Sequence, residues 1–152
     1  MATADVDSDG YDEIVFCPCY SPIDKDGRDM QADLHVLKFV NTTPPQLTEV
    51  STSPLGSRGT DYMGYGACGI AIADVVGNDG VPEIIVTTLA GEVFVFSQSN
   101  GVITQTLHQR ILDGGVGAFS SIFVANLDPT GGNTKPQLYL ATTAGIRRFD
   151  FP

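Results

Sequence analysis

The chain has no tryptophan, two histidines, three cysteines and only eight lysines and arginines among its 152 residues. Each scarcity closes off a class of function. With eighteen carboxylates the net charge is −10 and no basic patch gathers, so a phosphate backbone is repelled and nucleic acid is not an expected partner. The adjacent pair Arg147-Arg148 would split between the two faces of a strand. Cys17, Cys19 and Cys68 make an odd count that builds no disulfide framework. Cys17 and Cys19 also lack a nearby Cys or His set to complete a zinc site, so buried or half-buried thiols are expected. His35 and His108 lie on apolar, strand-like segments and read as partly exposed strand residues. No nucleophile elbow, phosphate-cradling glycine loop or zinc spacing accompanies them. No apolar run nears the roughly 18 residues of a membrane span, and no charged, apolar leader opens the chain.

What is present points to strands. Hydrophobic residues make up 42% of the chain, with 17 Gly and 9 Pro as punctuation and many Thr, Val and Ile between them. No stretch keeps helical periodicity over three turns. The expected class is all-β. Laying the chain on itself exposes a repeat. Met1-Ala2-Thr3-Ala4-Asp5, Gly69-Ile70-Ala71-Ile72-Ala73-Asp74 and Ile122-Phe123-Val124-Ala125-Asn126 each end a short strand in Ala followed by an oxygen-bearing residue. A polar loop follows, then a second apolar strand: Glu13 to Phe16, Glu83 to Val86, or Gln137 to Leu140. Third strands follow at Leu34 to Phe39, Glu92 to Phe96 and Ile146 to Phe151. Fourth strands are readable near Leu47 to Ser51 and Val102 to Ile111, after turns at Pro44-Pro45 and Asn100-Gly101.

Ala4, Ala73 and Ala125 stand 69 and 52 residues apart, the first interval lengthened near Ser21 to Asp33 and from Ser51 to Gly66. Four short antiparallel strands repeated at this spacing predict β-propeller blades. The expected divisions are blade 1 at about 1–60, blade 2 at about 64–113 and blade 3, one strand short, at about 116–152. The Ala-bearing strands should be innermost, where the axis is crowded. Propellers close with about four to eight blades, so the rest would come from flanking sequence, a second chain or a homodimer. An isolated monomer of three blades is not expected to be stable, because two flanking faces would be bare.

The first loop reads Asp5-Val6-Asp7-Ser8-Asp9-Gly10-Tyr11-Asp12-Glu13. Carboxylates at alternate positions, a Gly and a final acid can wrap oxygens around one hard cation such as Ca²⁺, which takes about 6–8 of them. It is not an EF-hand, whose last acid would fall where Phe16 stands. The second loop, Asp74 to Glu83, keeps Asp79-Gly80 and the final Glu83 but has one residue more and no second oxygen ligand. The third, Asn126 to Gln137, loses Asp-Gly and ends in Gln137. Both read as loops kept for shape. The string Asp24 to Asp29, interleaved with Lys25 and Arg28, reads as a solvated loop.

The pattern D-x-D-x-D-G-x-x-[DE], entered from an Ala-containing strand and left into Ile14-Val15, resembles the calcium loop of FG-GAP repeats. Those repeats and the related VCBS repeats build the propellers of integrin α subunits, certain fungal lectins and accessory domains of secreted bacterial proteins. Tyr65-Gly66 stands roughly where the family has Phe-Gly, and Cys17-Pro18 where it has Gly-Ala-Pro. The resemblance spans essentially the whole chain, with the loop intact only in the first copy. It implies side-chain ligands at Asp5, Asp7, Asp9 and Glu13, the Tyr11 carbonyl as a further ligand, and Asp12 turned away. It also implies a non-enzymatic ligand-binding or scaffolding propeller segment recognising protein or carbohydrate, extracellular or at a cell surface. The alternative is part of the catalytic propeller of a secreted polysaccharide-degrading enzyme such as a lyase, for which eight scattered Lys and Arg offer little.

Overall fold

Short apolar runs rich in Val, Ile, Leu and Phe, bounded by polar and Gly- or Pro-bearing loops, set the strands. The computed structural model describes residues 1–17, 33–54, 67–77, 79–88, 92–110, 122–127, 135–142 and 145–152. Among these it has eleven strands and no helix: β1 (Ala2–Ala4), β2 (Glu13–Phe16), β3 (Asp33–Val40), β4 (Gln46–Pro54), β5 (Ala67–Ala73), β6 (Glu83–Thr88), β7 (Glu92–Ser99), β8 (Val102–Arg110), β9 (Ile122–Ala125), β10 (Gln137–Thr142) and β11 (Gly145–Asp150). No helix long and apolar enough to cross a membrane is found among the described residues.

The strands form three antiparallel sheets of four, four and three strands, each in chain order: β1-β2-β3-β4, β5-β6-β7-β8 and β9-β10-β11. No sheet closes on itself. Every repeat strand read from the sequence forms, with β6 and β7 running on to Thr88 and Ser99. Asn100 and Gly101 have φ of 52° and 78°, the left-handed pair that a two-residue hairpin between Ser99 and Val102 requires. The stretch from Ser21 to Ala32 with its acidic string Asp24 to Asp29, Tyr65-Gly66 and the middle of the third loop lie outside the described residues.

The second sheet is the centre of the core. β6 is buried along its whole length, as a strand covered on both faces must be. On one face Ile84, Val86, Phe94 and Phe96 pack with Val6, Val15, Leu34 and Val36 of the first sheet and its loop. On the other, Ile85, Val93, Val95 and Val75 pack with Leu138, Leu140, Phe149 and Phe151 of the third. The sheets therefore stack in series, each outer sheet covered on one face. Phe39 and Leu47 of the first sheet, and Phe123 and Ile146 of the third, remain exposed. The leading strands lie side by side, β1 against β5 and β5 against β9, and the trailing β4 lies against β8. Gly69 makes the β5–β9 approach possible. A Cβ there would stand 2.8 Å from Cγ1 of Ile122, too close for any real side chain.

Candidate metal centre

Ala4 pairs directly with Glu13 across β1 and β2, so residues 5–12 must turn back within a short span. The loop is held by its own acids. Asp5 accepts the N–H groups of Asp9 at 3.0 Å and Gly10 at 2.8 Å, and Asp9 accepts that of Tyr11 at 3.0 Å. Ser8 and Gly10 turn through the left-handed region, with φ of 60° and 91°. Glu13, opening β2, is fully buried, and its Oε2 accepts the N–H of Val6 at 3.1 Å. The result is a convergence in which one carboxylate oxygen each from Asp5, Asp7 and Glu13 lies within 4.8 Å of the others.

Two oxygens of this group have nothing to accept. Asp7 Oδ1 and Glu13 Oε1 are both buried and make no hydrogen bond. Buried carboxylate oxygens without donors are costly and call for a positive partner. Part of that charge comes from Lys38 of β3. Its Nζ donates to Asp7 Oδ2 at 2.8 Å, pairs with Asp9 Oδ2, and stands 3.7 Å from Glu13 Oε1, beyond hydrogen-bonding reach. The β2–β3 register, with Ile14 opposite Leu37, is what carries Lys38 to the side of Glu13.

The titration behaviour follows from this geometry. The hydrogen bonds to Asp7 and Asp9 hold the Lys38 ammonium well above the ordinary lysine range. The hydrogen bond from Lys38 pulls the Asp9 carboxyl below its usual value. Glu13 goes the other way: loss of solvent raises it, although Val6 N–H opposes the rise.

Of the ligands implied by the resemblance, Asp5, Asp7 and Glu13 are brought together. Asp9 faces the same ammonium from outside the trio, and Tyr11 contributes an N–H while its side chain is exposed. Asp12 is exposed as well. Lys38 was not visible as a member of the site. Its place depends on strand pairing, and the clue in the sequence was the one lysine in the strand-like run Leu34 to Phe39.

The second loop repeats the scaffold without the convergence. Asp74 accepts Gly80 N–H at 2.7 Å, Asp79 accepts Val81 N–H at 2.9 Å, and Glu83 Oε2 accepts both Val75 and Val76 N–H at 2.9 and 3.0 Å. Val76 stands where the first loop has Asp7 and packs at the edge of the core. In the third sheet Gln137 is likewise fully buried, its amide donating to the Lys135 carbonyl at 2.5 Å. The histidines sit on strand faces: His35 stacks on Phe16 beside Glu49, and His108 on Phe94 beside Glu92.

Chemically the first loop offers clustered hard oxygen ligands of the kind a hard cation takes. Comparison with known proteins supplies no relative: no family model matches the chain, and no curated protein matches it.

Proposed function

We propose that the chain is a segment of an FG-GAP-like β-propeller, a non-enzymatic ligand-binding or scaffolding part whose first loop is stiffened by calcium. The carrying observation is the pair of buried, unpartnered oxygens, Asp7 Oδ1 and Glu13 Oε1, in a cluster completed by Asp5. These residues fit Ca²⁺, which takes carboxylate oxygens in flexible geometry, and the same loop offers Asp9 and the Tyr11 carbonyl as further ligands. The blade reading is supported by three consecutive meander sheets stacked face on face, with their leading strands gathered along one side. Such a stack exposes an apolar face at each end, which further blades would cover. A calcium-stiffened loop suits an extracellular or cell-surface setting, where weak calcium modules operate. The recognised ligand would be a protein or carbohydrate.

The test is thermal. Millimolar calcium should raise the melting temperature and EDTA should reverse the gain, since binding to the folded state adds about 2.7 kcal/mol at a hundredfold excess over Kd. The double variant Asp9→Ala, Glu13→Ala should lose the response. A melting temperature indifferent to both additions would sink the calcium reading.

A further inference from the structure

The acidic loop already contains a cation, and it belongs to the chain. Lys38 Nζ lies between Asp7 and Asp9 and faces the oxygen of the fully buried Glu13 that accepts no hydrogen bond. The position is particular to the first sheet. Continuing the β6–β7 register one step past Ile84↔Phe96 sets Ser97 beside Glu83, and in the third sheet Gln137 pairs with Asp150. Of the three cross-strand positions beside Glu13, Glu83 and Gln137, lysine stands at the one whose loop carries Asp5, Asp7 and Asp9.

An ammonium is a poor match for this cluster. It is a donor with no lone pair, so it can never become a metal ligand, and here it leaves Asp7 Oδ1 and Glu13 Oε1 unpartnered. A divalent ion drawn to those two oxygens would stand within a few ångströms of the ammonium and repel it. Lys38 has a flexible stem and is partly open to water, so its head can leave without disturbing β3.

Resting on the calcium reading above, we propose that Lys38 is the resident counter-ion of the metal-free loop and that calcium binds by exchange with it. The lysine thereby weakens calcium binding and keeps the empty loop folded. The exchange converts a single-point charge clamp into a multi-oxygen one, so the loop is tuned to fill at high calcium and to survive without it.

Calorimetric titration of calcium chloride into the wild-type chain and into Lys38→Met tests this. The variant should bind about tenfold tighter, the order expected from removing one like charge in a partly solvated site. In EDTA it should also melt below wild type, and calcium should restore the difference. Equal or weaker binding by Lys38→Met would overturn the exchange while leaving the calcium site intact. Binding by neither protein would overturn both. A second measurement needs no variant. Acetylation of Lys38 by an amine-reactive reagent, followed by mass spectrometry with Lys135 as internal reference, should accelerate when calcium is added. An unchanged or slower rate at Lys38 in calcium-bound protein would also overturn the exchange.

Discussion

The loops at residues 5–13 and 74–83 are built on one plan and differ in what they leave unsatisfied. In both, an Asp after the Ala strand accepts a glycine N–H, a second Asp accepts the N–H two residues on, and a buried Glu accepts a valine N–H. These bonds close the loop regardless of any ion. In the second loop Val76 donates a further N–H to Glu83 and packs on the core, and one buried oxygen, Asp74 Oδ1, is left without a donor. In the first, Asp7 takes that place. It adds a carboxylate beside Glu13, leaves two buried oxygens without donors, and draws in Lys38. The comparison separates frame from charge: the hydrogen-bonded frame is common to both loops, and where the second has Val76 the first has Asp7, which pairs with Lys38.

The sharpest way to break this comparison is Glu83→Ala. It strips the acceptor from two N–H groups, one on the buried Val75, and should cost about 2–4 kcal/mol in urea unfolding. The loss should be the same with calcium or EDTA, and a calcium-dependent loss would mean that the second loop also holds an ion. A smaller contrast concerns the left-handed turns at Ser8 and Gly77, with φ of 60° and 81°. Gly77→Ala should cost about 1 kcal/mol from backbone strain alone. Its new Cβ would come no nearer than 3.7 Å to Asp79. Ser8→Gly should change stability by less than about 0.5 kcal/mol, because relief of strain is offset by glycine's extra entropy in the unfolded chain.

The smallest effect is a drift with pH in EDTA, read as the melting difference between wild type and Glu13→Gln. Burial raises the folded pKa of Glu13 above its ordinary 4.5, so the ionised side chain destabilises wild type above that raised value. Wild type should gain on the Gln variant as pH falls through the folded pKa, and the difference should level off below 4.5. Asp9, held low by Lys38, acts in the opposite sense and only at more acid pH, as it loses its stabilising charge through its lowered pKa. Wild type losing ground to the Gln variant on acidification from neutral pH would contradict the assignment of Glu13 as a desolvated carboxylate.

Much of this was legible in the residues. The Ala-ended strands, the loops beginning with Asp5 and Asp74, and the apolar runs at Glu13, Glu83 and Gln137 mark strand–loop–strand units, because short apolar runs and Gly turns are local properties. The three meander sheets follow from them. The burial of Glu13 and Glu83 was not legible, since an acid at the head of a strand reads as solvent-facing until the N–H groups it serves are seen. The role of Gly69 was equally hidden, because the close approach to Ile122 involves another sheet.

The sequence by itself determined the all-β class, the repeat and the acidic loop, each written in residues close together along the chain. Tertiary structure alone decided that the second sheet lies between the other two and that Lys38, 31 residues from Asp7, supplies the charge inside the loop. The reason is register. Which side chains meet across paired strands or stacked sheets depends on pairings between distant segments, and one step along β3 would turn Lys38 to the opposite face.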